Sequence, residues 1–244
     1  MTTIRSNAAG RLSTEKFTAI VLALRPNVAV FDCDGTLWHE DAGYGFMLWS
    51  IAKGFVSRNA SDWIDSRYRL YLAGEVSEIA MCGEMVQIYD GLREAEMRKA
   101  AAEFFHSRIA GSIFPEMRDL VAKLQSQGTD VWAVSSTNNW VIEEALREFK
   151  IPPERILAAR VHVASGVITS RLLDVPTDEG KAMSLGRAGI LTPDAVFGNS
   201  IHDAAMLQMA RQPFPVNPTR ELLRISSEHG WSVYYPEAVL PEGA

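Results

Sequence analysis

The chain of 244 residues holds only two cysteines, Cys33 and Cys82, with no CxxC pair and no pairing framework. That excludes a disulfide-stapled fold and a clustered Cys/His zinc site, and a reduced, cytoplasmic setting is expected. Positive charge is scarce as well: 24 Lys and Arg stand against 30 Asp and Glu, for a net charge of −6. Nucleic-acid binding by counterion release needs clustered cations, and no such stripe is present. No nucleic-acid partner is expected, and an anionic ligand must be met by local cations or a metal. Long apolar runs are missing too. Met1 to Lys16 lacks the apolar stretch of a signal peptide, and Phe17 to Leu24 is far too short to span a bilayer, so no membrane partner is expected.

Proline is absent from one long stretch, since all eleven prolines lie at Pro26 or from Pro115 onward. The intervening segment reads as helices over Tyr44 to Val56, Asp62 to Leu72, Val76 to Tyr89 and Glu94 to Ile109, punctuated by Gly74 and Gly91. Outside it, strand-like segments alternate with helical periodicity. Val28 to Asp32, Asp130 to Ser135, Ala195 to Gly198 and Phe214 to Asn217 read as buried strands. Arg155 to Val163, Gly166 and Val167 to Arg171 read as a strand entering a hairpin. Pro115 and Gly128 bracket a helix whose apolar stripe is Met117, Leu120, Val121 and Leu124, and a second helix follows Asn138. The expectation is an α/β fold, a Rossmann-like doubly wound parallel sheet with an inserted helical module. Its core is expected over 1–40 and 112–244, and its helical cap over 41–111.

The chemistry-bearing residues begin with Asp32 and Asp34 in Val-Phe-Asp-Cys-Asp-Gly-Thr, residues 30 to 36. Residues two apart in a strand share a face, so both carboxylates emerge together at the carboxyl end of a buried strand, where open α/β sheets bind ligands. Two close carboxylates repel unless a cation or a shared proton relieves them. Cys33, alternating to the other side, reads as core. His39 and His202 have no visible metal partner and read as surface or hinge positions.

This segment resembles the first motif of the haloacid dehalogenase-like (HAD) hydrolase superfamily, and three further elements follow in the family's order. Ser135 ends an apolar run, with Ser136 beside it as the alternative hydroxyl. Lys181 opens a helix in Thr-Asp-Glu-Gly-Lys-Ala, where a cation opposes the helix dipole and is locally unfavourable. Asn199 and Asp203 lie in Val-Phe-Gly-Asn-Ser-Ile-His-Asp, with Asn199 standing where the family has Asp. The inserted helices resemble the cap of the phosphoserine phosphatase-like branch.

The resemblance implies a phosphatase acting on a small-molecule phosphomonoester through an aspartyl phosphate. Asp32 would be the nucleophile and Asp34 the acid/base. Ser135 or Ser136 and Lys181 would clamp the phosphoryl group, and Asp32, Asp34, Asn199 and Asp203 would form the Mg2+ region, with Asp203 also orienting Lys181 and binding ordered water. Asp41 is placed where relatives present an acidic residue to a substrate amine, which points to an amino-alcohol phosphate such as phosphoserine or phosphocholine, and it reads equally as an ordinary helix-start residue. Trp38, Tyr44 and Trp49 nearby suggest an aromatic wall, although Trp49 reads rather as cap packing with Phe46 and Met47. Arg67 and Arg69 either reach a substrate carboxylate or face solvent. A phosphotransferase or mutase of the same superfamily, and a catalytically silent binding protein, are the competing readings.

Overall fold

Ala29, Val30 and Phe31 are each completely buried, the signature of a strand covered on both faces. This strand lies inside a six-stranded sheet in a computed structural model that describes residues 11–239. The outer ends of the expected core, residues 1–10 and 240–244, lie outside the described residues.

In chain order the elements begin with β1 (Arg11–Leu12), α1 (Thr14–Ala23), β2 (Val28–Phe31), α2 (Ala42–Ala52), α3 (Arg58–Leu72), α4 (Glu78–Gln87) and α5 (Glu94–Phe104). There follow α6 (Pro115–Ser126), β3 (Asp130–Asn138), α7 (Asn139–Ala145), β4 (Ile156–Ala164), β5 (Val167–Asp174), α8 (Glu179–Arg187) and β6 (Ala195–Gly198). The chain ends with α9 (Ala204–Gln208), β7 (Gln212–Pro215), α10 (Arg220–His229) and β8 (Val233–Tyr234).

The sheet order is β5-β4-β3-β2-β6-β7, and every pairing is parallel except β4 with β5. After β2 the chain first adds β3 on one side and later β6 on the other. The carboxyl end of β2 is therefore the switch point at which open α/β sheets form a crevice. Phe31 stacks on Phe197 of β6 at 4.2 Å, locking the two strands that frame it. On α6, Met117, Leu120, Val121 and Leu124 are all buried, each contributing about 1.5–3 kcal/mol.

Several boundaries differ from the sequence reading for local reasons. Helix α2 starts at Ala42 because the Asp41 side chain accepts from Tyr44 N, and α3 starts at Arg58 because Ser57 caps it. The helix expected to run to Ile109 ends at Phe104 and continues as a π-helical turn over Phe105–Ile109. Strand β3 extends past Ser135 to Asn138, with its register to β4 shifting between those two residues. The last core strand is Gln212–Pro215, paired residue for residue with β6, and not Phe214 to Asn217. The hairpin of β4 and β5 stands as read, with Gly166 at φ +79° in its turn.

Candidate active site

Beyond β2 the chain must turn at once, and Gly35 permits it with φ +75°. A Cβ there would come within 1.8 Å of the Asn199 side-chain nitrogen, so glycine also makes room for the loop after β6. The turn opens on a cavity of about 310 Å3. Asp32, Asp34, Asp41, Ser135, Ser136, Lys181 and Asn199 all line it, drawn from loops or element ends after β2, in β3, in α8 and after β6.

Asp32 and Asp34 occupy different environments. Asp32 Oδ1 accepts from Lys181 Nζ at 2.6 Å and Oδ2 from the Thr36 hydroxyl at 2.8 Å. Burial, then the nearby Asp203 charge, push the Asp32 carboxyl up to about 6, against the pull of Lys181. Asp34 Oδ1 accepts from the Trp38 indole at 2.6 Å and Ala42 N at 2.9 Å, and Oδ2 from the Thr137 hydroxyl at 2.6 Å. Burial first and Asp41 second still raise it to about 7, despite the donors from Thr137 and Ala42. A carboxyl poised near neutrality can hold or release a proton at physiological pH.

Lys181 is only 2 % exposed and is shared by two carboxylates, with Asp203 Oδ1 also at 2.6 Å. Burial disfavours its charge, but Asp203 and Asp32 together outweigh that and hold it protonated. This resolves why a lysine stands in the first turn of α8 against the dipole. Asp203 is completely buried and does not line the cavity. Its Oδ2 accepts from Asn199 N, Ser200 N and the Ser200 hydroxyl. Both oxygens are engaged by protein donors, as the expected role of orienting Lys181 requires. Asp203 anchors Lys181 and the loop carrying Asn199.

Other expectations are also revised. Trp38 is fully buried beneath Asp34 and not part of an aromatic wall on the cavity; its indole is a donor. Arg67 is bound bidentately by Glu84 at 2.8 and 2.7 Å, and Arg69 by Asp65, and neither lines the cavity. Trp49 packs with Phe46, Phe55 and Phe104, as cap packing requires. Cys33 is fully buried core. His39 and His202 both line the cavity, and His202 Nδ1 lies 2.7 Å from Asp178 Oδ1.

Sequence reasoning passed over Thr137 and Glu78. Thr137 follows two serines and had no periodic signal to mark it, because the irregular end of β3 decides which hydroxyl meets Asp34. Glu78 sits in the first turn of α4, where an acidic residue has an ordinary dipole role.

The donor set can be tested for a cation. Asp32, Asp34, Glu40, Asp41 and Glu78 line the cavity with a single lysine, whose charge Asp203 shares. No group of three or more His, Cys, Asp or Glu is gathered to enclose a metal among the described residues. Oxygen donors without a closed cage suit Mg2+, which keeps waters and draws further ligands from a phosphate. Asp32, the Asp34 main-chain carbonyl and Asn199 fit that requirement.

The raised carboxyls also fix a pH dependence. Asp32 and Asp34 take up protons on folding between their ordinary range and about 6 to 7, so the folded state gains stability as pH falls through that window. Metal-free protein should melt at a higher temperature at pH 5 than at pH 8, and Asp34→Asn should flatten the upper part of that slope. A profile that falls from pH 8 to pH 5 would contradict these environments.

Fold and site together define a Rossmann-like α/β protein with an acidic pair at the switch point and a buried lysine beside it. The chain belongs to the haloacid dehalogenase-like hydrolase family, whose model matches residues 29–208. Among curated proteins it is 26 % identical over 218 residues to a histidinol-phosphatase of Neisseria meningitidis, covering 85 % of this chain and 97 % of that one. It is 23 % identical over 215 residues to the phosphoserine phosphatase SerB1 of Mycobacterium tuberculosis, covering 84 % and 69 %. Among solved structures, a Bordetella pertussis protein of unknown function superposes with a TM-score of 0.71 at 22 % identity, covering 85 % and 97 %. A substrate-bound phosphoserine phosphatase shares the fold with a TM-score of 0.59 at 15 % identity, covering 86 % and 92 %. No helix among the described residues is long and apolar enough to cross a membrane.

Proposed function

We propose that the chain is a Mg2+-dependent phosphatase that hydrolyses a small amino-alcohol phosphate through an aspartyl phosphate on Asp32. The observation that carries this is the pairing of Asp32 with Lys181 beside an Asp34 raised to about 7 at one cavity. Asp32 attacks phosphorus as Asp34 gives its proton to the leaving alcohol oxygen, and Asp34 then takes a proton from the water that splits the aspartyl phosphate. Lys181 offsets charge on Asp32 and the phosphoryl oxygens. Ser135 Oγ accepts from Thr137 N at 3.1 Å, which leaves its O–H free to donate to the phosphoryl group, and Ser136 is the flanking hydroxyl. Bound Mg2+ supplies positive charge to the phosphate. Asp32, the Asp34 carbonyl and Asn199 would hold it, while Asp203 acts as a positioning residue for Lys181.

The helices over 41–111 serve as a cap that covers the cavity and selects the substrate. Asp41 lines the cavity while capping α2, and burial raises its carboxyl, with Glu78 adding to the shift. The relatives support an amine in the substrate, since histidinol phosphate and phosphoserine are both amino-alcohol phosphates.

Purified protein should release inorganic phosphate from para-nitrophenyl phosphate with Mg2+ and no added acceptor, and a chelator should stop it. Release that needs an acceptor would replace hydrolysis by phosphotransfer. Asn199→Asp should lower the Mg2+ concentration giving half-maximal rate; an unchanged value would remove Asn199 from the metal site.

A further inference from the structure

Glu78 lines the cavity that it shares with Asp32 and Asp34. Its Oε1 accepts from the Cys82 thiol at 3.2 Å, whereas Oε2 is buried without a hydrogen-bond partner. The His202 ring stands 3.7 Å from that oxygen, beyond hydrogen-bond range, with its other nitrogen held at Asp178. A buried carboxylate oxygen lacking a donor is costly unless a ligand brings one. Tyr44, Tyr68 and Tyr71 line the same cavity, the first two stacked at 4.4 Å, and the Tyr71 hydroxyl interacts with the Glu78 carboxylate.

The cavity is equally marked by what it withholds. Among the described residues no arginine lines it, Arg67 is consumed by Glu84, and Lys181 by Asp32 and Asp203. A substrate carboxylate would meet Glu40, Asp41 and Glu78 with no free lysine or arginine, and of the two lining histidines His202 is held at Asp178. We infer that Glu78 is a specificity-determining residue that receives the substrate ammonium, and that the cavity takes amino-alcohol phosphates lacking a carboxylate in preference to those carrying one. This rests on the phosphatase reading and narrows it.

Three phosphates separate the terms. Ethyl phosphate lacks the ammonium of phosphoethanolamine, and phosphoserine adds a carboxylate to it. The wild type should show kcat/KM for phosphoethanolamine roughly tenfold or more above either of the others, the scale of one charge-assisted contact. Glu78→Gln should collapse the ratio of phosphoethanolamine to ethyl phosphate toward unity, chiefly through KM, and relax the bias against phosphoserine. Binding of the three compounds to Asp32→Asn protein should rank in the same order. Turnover of para-nitrophenyl phosphate with no amine preference in rate or binding would overturn this inference alone. No turnover of any phosphate would overturn the phosphatase reading and the inference with it. A Glu78→Gln protein that folds and keeps the wild-type ratios would also overturn it.

Discussion

Replacing Asp32 by Asn is expected to lower phosphate release by more than about a thousandfold while leaving the protein as stable as wild type, or more so, at pH 8. The catalytic loss follows from removing the group proposed to attack phosphorus. The stability result follows from the charge arithmetic of the site. Lys181 contacts both Asp32 and Asp203 at 2.6 Å, so two carboxylates compete for one ammonium. Burial already pushes the Asp32 carboxyl up to about 6, which means that its ionised form works against folding above that pH. A neutral amide at this position removes that cost, and Lys181 keeps Asp203 as partner. Activity and stability are thus opposed at this position, as they often are in active sites. Thermal melts beside phosphate assays check both halves. A variant that loses several degrees would show that Asp32 is held for structural reasons.

Replacing Lys181 by Met is expected to do damage of both kinds. The side chain is only 2 % exposed, and its loss leaves Asp32 and Asp203 facing each other without a cation. Breaking a buried pair from one side costs about 3–5 kcal/mol. For a chain of this size that corresponds to a melting temperature lower by roughly 6–20 °C. Lowering the pH should recover part of the loss as the stranded carboxyls protonate. Adding Asp203→Asn should recover only part of the loss, because Asp203 Oδ2 also holds Asn199 N and Ser200 N. A Lys181→Met protein that melts with wild type would contradict the shared-lysine arrangement.

Both predictions concern residues legible in the sequence, and the reason is local. The apolar strand before Asp32, the glycine after Asp34 and the lysine misplaced at a helix start each conflict with, or fulfil, a rule that acts over a few residues. The parallel sheet was legible for the same reason, from apolar segments alternating with helical stripes. What could not be read depends on pairings far apart in the chain. Thr137 meets Asp34 across 103 positions, and only the irregular end of β3 brings that hydroxyl round in place of Ser135 or Ser136. Trp38 looked like a cavity wall because it is aromatic and near the motif, but its indole is turned to Asp34. Asp203 is placed by its match to the fourth motif and expected to orient Lys181, and the contact at 2.6 Å agrees with that, whereas its complete burial was visible only once the fold placed it. Glu78 lies 46 positions from Asp32 in sequence, and nothing in its own helix marks it.

These distinctions converge on one bond, that between Asp32 and phosphorus. Rapid quenching of wild-type protein with substrate and Mg2+, followed by mass mapping of its peptides, tests it most directly. The account predicts a transient phosphoryl group on the peptide carrying Asp32, absent from Asp32→Asn. Steady turnover with that peptide unmodified, or with the phosphoryl group on another residue, would contradict it.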